Sequence, residues 1–386
     1  MSTLFTRGMA KATELTRAGR LQEATAMIRS LLNPADIRPH SSEPMVAGEV
    51  VDGEFTRLSP TPPAPPERAA KPDRAAKTSL AETLRSIAAG GMPARGPLTA
   101  TPPALAPGAQ FLSLTCTAPQ GSRTYRLYIP GKRSDLPMPL VVMLHGCTQT
   151  PEDFATGTGM NGLAEAFGCL IAYPGQPSGA NAQKCWNWFR PEDQARNRGE
   201  PALLVGMVRD ILRDQSADGA RVYVAGLSAG GAAAAILGNL YPDVFAAIGV
   251  HSGLPAGAAR DIPTAFSAMR NGAPGTPTQV AVPTIVFHGK ADSTVHPGNG
   301  RALLQRALEA HPRLTLASVD GVVSGGRSYR QTRHVRADGR SMAEHWEIDG
   351  AGHAWAGGQA DGSYTDPKGP DASREMLRFF LQHRIK

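Results

Sequence analysis

From about residue 108 onward the sequence predicts an α/β fold, a mostly parallel central sheet with helices on both faces. Three observations carry that prediction. Short, nearly unbroken runs of aliphatic and β-branched residues recur as PLVVMLHG, GCLIAYPG, RVYVAG, AAIGVHSG and TIVFHGKAD. Stretches with helical spacing, such as EPALLVGMVRDILRD and NGRALLQRALEAH, separate most of them. The runs are continuous rather than alternating, as in strands buried on both faces beneath crossover helices.

Three regions follow one another along the chain. Residues 1–32 read as a helical hairpin. Leu4, Met9, Ala12 and Leu15 have helical spacing, RAGR breaks it, and Leu21, Ala24, Ile28 and Leu31 resume it. AGRLQEA resembles the turn and second helix of a tetratricopeptide-type hairpin, and the chain shows no further copy. The hairpin reads either as an amphipathic appendage or as a contact for a protein partner or a polymer granule. Residues 33–107, with SPTPPAPPERAAKPDRAA and TPPALAPGA, hold too little apolar surface to offset their ordering entropy and read as a disordered linker. Within it Ser79 and Glu82 form a capping box ahead of Leu80, Leu84 and Ile87, which predicts a short helix at 80–88.

Residues 108–386 form the remaining domain. FLSLTCTA and RTYRLYIP, joined by PQGS, predict a β-hairpin that supplies antiparallel edge strands. RLTLASVD is another possible strand, MAEHWEID a late strand, and DASREMLRFFLQH a closing amphipathic helix. The Gly/Ala/Pro-rich stretch 253–280 lies where a cap over a substrate entrance can insert.

Composition narrows the function classes. The 386 residues carry a formal charge of +7, but the Lys and Arg are scattered and no nucleic-acid-reading motif is present, so nucleic acid is not an expected partner. No apolar run approaches the ~20 residues that span a bilayer, so no membrane span is expected. MSTLFTRGMAKATELTRAGR has no apolar core of a signal peptide, and the expectation is a soluble, cytoplasmic protein. The four cysteines, Cys116, Cys147, Cys169 and Cys185, are too few and too scattered for a disulfide scaffold and show no zinc-type CxxC pair.

The strongest chemical signal is Gly226-Leu227-Ser228-Ala229-Gly230. It matches G-x-S-x-G in the context that motif requires, with RVYVAG as the strand before and GGAAAAILGNLY as the helix after. Such a turn strains the serine so that its Oγ projects above the sheet, and small flanking residues let the helix approach the strand. The first N–H groups of the helix then point at whatever the serine attacks. The plain alternative is a Gly-rich turn that merely contains a serine.

A serine nucleophile needs a base and an orienting acid. In chains built on this elbow they follow in the order serine, acid, histidine. His353, in the Gly-rich loop of EIDGAGHAWAGG, is the candidate base. Asp292, just past a strand in IVFHGKADSTVHP, is the candidate acid. Asp349 and Asp320 rival the acid, and His145, His251, His288 and His296 rival the base. His145-Gly146-Cys147, at the end of an early strand, predicts the second oxyanion donor. The two donors would be the backbone N–H groups of Cys147 and Ala229, each typically contributing ~2.7–4 kcal/mol to transition-state stabilisation.

Over about 110–386 the chain resembles the polyhydroxybutyrate depolymerase family of esterases, which includes short-chain polyester depolymerases and related acetyl-xylan and feruloyl esterases. The likeness is carried by LHGCTQTPEDFATGTGMN, YPGQPSGANAQKCWNWF, RGEPALLVGMV, RVYVAGLSAGGAAAAILGNLYPDVFAAIGVHSGLP and SYTDPKGPDASREMLRFF. It implies an α/β-hydrolase fold, a triad of Ser228, Asp292 and His353, no metal or organic cofactor, and an ester or polyester substrate. It also implies that Cys147 and Cys185 are neighbours able to form a disulfide bracing the oxyanion loop. Trp186, Trp188 and Trp355 are then candidates for an apolar substrate wall or for core, and Asn181 for a weaker polar contact. Members of the family are often extracellular, and this chain departs from secreted members that carry a signal peptide and a polymer-binding domain. The rival readings are an acetyl-xylan or feruloyl-type esterase, a serine peptidase of the same fold, and a granule- or partner-binding protein acting through the hairpin.

Overall fold

The computed structural model describes residues 105–385, apart from 134–135, 274–281, 310 and 312, together with Lys11. The hairpin expected over 1–32, other than Lys11, lies outside the described residues, as does the linker up to residue 104 with its helix at 80–88.

The alternation expected from the sequence is present. Strands β1 (Gln110–Ala118) and β2 (Gly121–Ile129) form the leading antiparallel hairpin. The apolar runs become β3 (Leu140–Leu144), β4 (Leu170–Pro174), β5 (Val222–Leu227), β6 (Ala247–His251) and β7 (Thr284–Gly289), every residue of which is buried. RLTLASVD yields β8 (Thr315–Val322), an almost wholly exposed edge strand, and MAEHWEID yields β10 (Ser341–Ile348). Between them β9 (Ser328–Val335) is a strand the apolar pattern did not mark, because SYRQTRHV is half-buried and mostly polar.

Strands β1 to β10 form one sheet, in the order β1-β2-β4-β3-β5-β6-β7-β10-β9-β8. From β4 to β10 neighbours are parallel, and antiparallel strands close both edges. Parallel strands end on the same side of a sheet, so the loops after β3, β5, β6, β7 and β10 gather at one rim.

Helices cover both faces. Side chains alternate along a strand, so Leu140, Val142 and Leu144 of β3 face one core while Val141 and Met143 face the other. The first core takes in α3 (Gly199–Asp214), α4 (Ala229–Leu240), α5 (Ile262–Asn271) and α6 (Gly298–Glu309). The second takes in α1 (Pro151–Thr158), α2 (Met160–Phe167) and α7 (Ala372–Phe380). Helix α5 lies in the stretch where a cap was expected, and its Asp261 and Thr264 form a reciprocal capping box. Among the described residues no helix is long and apolar enough to cross a membrane.

Candidate active site

Strand β5 delivers Ser228 to the rim. VYVAGL is β-branched and apolar and stays extended. The alanines that follow have the highest helix propensity, so the chain must change conformation within one residue. Ser228 absorbs that change at φ 57°, ψ −118°, a region that costs a non-glycine residue on the order of 1–3 kcal/mol. It is held there by its N–H donating to His251 O (2.9 Å) and its carbonyl accepting from Ala232 N–H (2.9 Å). The flanking glycines are needed for space. A Cβ at Gly226 would lie 2.3 Å from the Gly230 carbonyl carbon, and one at Gly230 would lie 2.1 Å from Leu144 O.

Asp292 and His353 meet because β7 and β10 are parallel neighbours, with Gly289 opposite Ile348. Lys290 N–H donates to Ile348 O (2.9 Å) and Ala291 N–H to Ala351 O (3.0 Å), which continues the ladder into both loops. Asp292 Oδ1 accepts from the N–H groups of Thr294 and Val295, both at 2.9 Å. Its Oδ2 accepts from His353 Nδ1 at 2.8 Å, which places the proton on Nδ1 and leaves Nε2 as the basic nitrogen. His288 stands behind the acid, its Nε2–H donating to Val295 O (2.8 Å) at 3.5 Å from Asp292 Oδ2. Burial pushes the Asp292 carboxyl up. The neighbouring imidazoles of His288 and His353 and the Val295 N–H outweigh burial and hold it well below the usual carboxylate range. Ser228 shares this rim, but among the described residues no hydrogen bond joins its hydroxyl to His353.

The loop after β3 is held from several sides. Gly146 N–H donates to Gln149 Oε1 (2.8 Å), Thr148 N–H to Gln183 O (2.7 Å) and Gln149 N–H to Gly146 O (3.3 Å). Across Gly146–Gln149, the N–H without a hydrogen-bond partner among the described residues is that of Cys147. Cys147 is joined to Cys185 by a disulfide, so the pairing implied by the resemblance is present. Ala229 opens α4, where the first N–H groups have no partner within the helix.

The rival acids and bases are occupied elsewhere. Asp349 pairs with Lys290 (2.7 Å) and Asp320 with Arg330 (2.8 Å), both on the surface. His145 Nδ1–H donates to Gly146 O (2.7 Å) while Nε2 accepts from Gln176 N–H (3.1 Å), and burial pushes it down to about 4. His251 Nε2 accepts from Ala356 N–H (3.0 Å), and burial pushes it down to about 3. His251 thus ties the Ser228 turn, through its carbonyl, to the loop of His353, through its ring. His296 Nδ1 accepts from Gly298 N–H within its own turn.

The three candidate indoles line no open wall. Trp186, Trp188 and Trp355 are 0%, 6% and 1% exposed. Trp186 Nε1–H donates to His145 O (3.0 Å) and supports the loop after β3. Trp355 Nε1–H donates to Ser373 Oγ (3.0 Å). Aromatic bulk in a loop near the rim was a signal of packing, because the loops themselves fold back over the sheet. Asn181 is likewise spent on its own loop, its Oδ1 accepting from Gln183 and Cys185 N–H and its Nδ2 donating to Asn187 Oδ1.

Residues with no motif of their own complete the site. Gln149 Nε2 donates to Asp153 Oδ2 (3.0 Å) and to Ser363 O (3.1 Å), and Ser363 N–H donates to Asp153 Oδ1 (2.9 Å). The Thr148 and Tyr364 hydroxyls are 3.2 Å apart. A two-stranded parallel ladder, β11 (Trp355–Ala356) with β12 (Thr365–Asp366), pins the segment after His353. The loop after β3 and the histidine loop are therefore one bonded unit. The only sequence signal was that both stretches, LHGCTQTPEDF and SYTDPKGP, lay among those carrying the family resemblance.

A parallel sheet with a strained serine at the end of β5 and an Asp–His pair beyond β7 and β10 defines the α/β-hydrolase fold class. An acetyl xylan esterase from Aspergillus awamori has this fold, with a TM-score of 0.54 at 19% identity, covering 71% of this chain and 98% of that one. Residues 123–311 match the family model described as Esterase PHB depolymerase, and the chain carries a domain of that family. It is 34% identical over 229 residues to poly(3-hydroxyalkanoate) depolymerase C of Paucimonas lemoignei, which covers 56% of this chain and 54% of that protein. It is 29% identical over 283 residues to feruloyl esterase B of Neurospora crassa, covering 68% and 88%. Poly(3-hydroxybutyrate) depolymerase of Ralstonia pickettii is 29% identical over 265 residues, covering 62% and 53%. The chain spans about half the length of the two depolymerases.

Proposed function

We propose that the protein is a serine carboxylic-ester hydrolase acting through an acyl-enzyme on short-chain hydroxyalkanoate polyesters or their oligomers. The carrying observation is the 2.8 Å bond from His353 Nδ1 to a buried Asp292 at the rim where Ser228 is held in a strained turn. His353 Nε2 takes the Ser228 proton as Oγ attacks the ester carbonyl, once rotation of the hydroxyl brings it within reach of the imidazole. The N–H groups of Cys147 and Ala229 receive the oxyanion, and Asp292 steadies the imidazolium. The alcohol leaves with the proton from His353. Water, deprotonated by the same nitrogen, then releases the acid and restores Ser228.

The substrate class is supported by the likeness to the two depolymerases. The feruloyl esterase, of which this chain covers 88%, favours a second reading in which the ester joins an aromatic acid to a sugar. A panel of hydroxybutyrate oligomers, feruloylated and acetylated sugars and a dipeptide amide, with released acids identified by mass spectrometry, separates these readings and tests peptidase action. Ser228→Ala is expected to lower p-nitrophenyl butyrate hydrolysis by roughly 10³-fold or more with the fold intact. Retained activity in that variant overturns the mechanism.

A further inference from the structure

With its tryptophans buried, the rim that carries Ser228, Asp292 and His353 still presents an aromatic side chain to solvent. Tyr364 is 47% exposed. Phe167 is exposed too, but it ends α2 just ahead of β4 and so lies at the opposite end of the sheet. Tyr364 follows the histidine loop, and its hydroxyl is 3.2 Å from that of Thr148, the residue after Cys147.

Both hydroxyl-bearing residues occupy the left-handed region, Thr148 at φ 67° and Tyr364 at φ 52°, which a bulky side chain seldom adopts. The neighbours impose it. Trp355 N–H donates to Tyr364 O (2.7 Å), Gln149 and Asp153 hold Ser363, and Thr365 is paired in the short ladder. The backbone is locked while the ring is left outside the core, so the strain does nothing for packing. Strained residues of this kind cluster where ligands are held. A tyrosine suits such a place, because it offers a rigid apolar face with only two side-chain torsions to order and a polar tip that can be anchored.

We propose that Tyr364 is a specificity-determining residue of the ester site. Its ring is the wall against which the apolar substituent of the substrate lies. Its hydroxyl, bonded to Thr148, keeps that wall in register with the Cys147 donor. The proposal rests on the esterase reading above and takes over the role the indoles do not fill.

Steady-state kinetics of Tyr364→Ala, Tyr364→Asn and Tyr364→Phe on p-nitrophenyl esters from acetate to octanoate test it. In the Ala and Asn variants KM for the longest ester rises about tenfold, while kcat on acetate stays within about twofold. Tyr364→Phe, which keeps the apolar ring but loses the bond to Thr148, raises KM for the longest ester by less than the Ala and Asn variants do. Asparagine tolerates the left-handed conformation, so Tyr364→Asn carries the test if the alanine variant does not fold. An unchanged KM series in Tyr364→Asn, or an equal loss at every chain length, overturns the proposal. Absence of Ser228-dependent hydrolysis in the wild type overturns the esterase reading and this one with it, and it is seen before any Tyr364 variant is made.

Discussion

Replacing Gly230 by alanine adds one methyl group at the point where helix, sheet and both proposed oxyanion donors converge. The new Cβ lies 2.1 Å from Leu144 O and 2.6 Å from His145 O, whereas ordinary contact begins near 3.4 Å. Both obstacles are backbone carbonyls that cannot rotate aside, so α4 must withdraw from β3 by roughly 1 Å, an overpacking that costs about 1–3 kcal/mol. The gain in helix propensity on replacing glycine, at most about 1 kcal/mol, offsets only part of it. For a cost in the upper half of that range the net loss is about 1–2 kcal/mol, and at roughly 2–4 °C per kcal/mol for a domain of this size the midpoint falls by about 2–8 °C. The same withdrawal moves Ala229 N–H and Ser228 Oγ away from Cys147 N–H, and a misplacement of about 1 Å lowers kcat/KM by about 10²-fold. Calorimetry and p-nitrophenyl ester kinetics on the pure variant measure both. Gly162→Ala is the control, since Gly162 lies exposed in α2 with nothing within 4 Å of the added carbon. It is expected to stabilise by about 0.5–1 kcal/mol. Wild-type stability and activity in Gly230→Ala would refute the geometry of the oxyanion site.

Two further outcomes follow from the same structure. The double variant Cys147→Ser/Cys185→Ser keeps the Cys147 backbone N–H but opens a loop closed across a sequence separation of 38. It is expected to lose roughly 2–4 kcal/mol in urea unfolding and to lower kcat more than it changes KM, and an unaltered kcat would show that the bond does not hold the donor. Acid should unfold the protein in two-state urea titrations through His145 and His251, whose burial depresses them to about 4 and about 3. In the unfolded chain they take up protons as pH falls through about 6.5, whereas the native state resists. Their contribution is therefore complete above about 6.5 and shrinks as pH falls toward 4 and 3, and equal urea midpoints at pH 7 and pH 5 would contradict it.

Much of the fold was legible because its signals are local. LVVML, LIAYP and VYVAGL could only be buried strands, and AGGAAAAILGNL could only be a helix against them. The change from one to the other across Gly226–Gly230 marked Ser228. SYRQTRHV gave no such signal, since a strand whose two faces are both half-buried and mostly polar carries no apolar pattern. For the tryptophans the sequence left substrate wall and core both open, for a related reason. Trp186 and Trp355 sit in loops by sequence, and nothing local reveals that those loops fold inward to donate to His145 O and Ser373 Oγ.

The sequence by itself determined the strand–turn–helix around Ser228, the order of the candidate acid and base, and the family to which the domain belongs. Those features depend on residue type and on spacing of a few positions. Only the tertiary structure decided which aspartate meets His353, because that depends on β7 and β10 becoming neighbours although β8 and β9 lie between them in the chain. It also decided that Thr148 and Tyr364, 216 positions apart, share a bond at the rim. Contacts of that kind arise from strand register and loop closure, which sum over the whole sheet and leave no mark on any short stretch of residues.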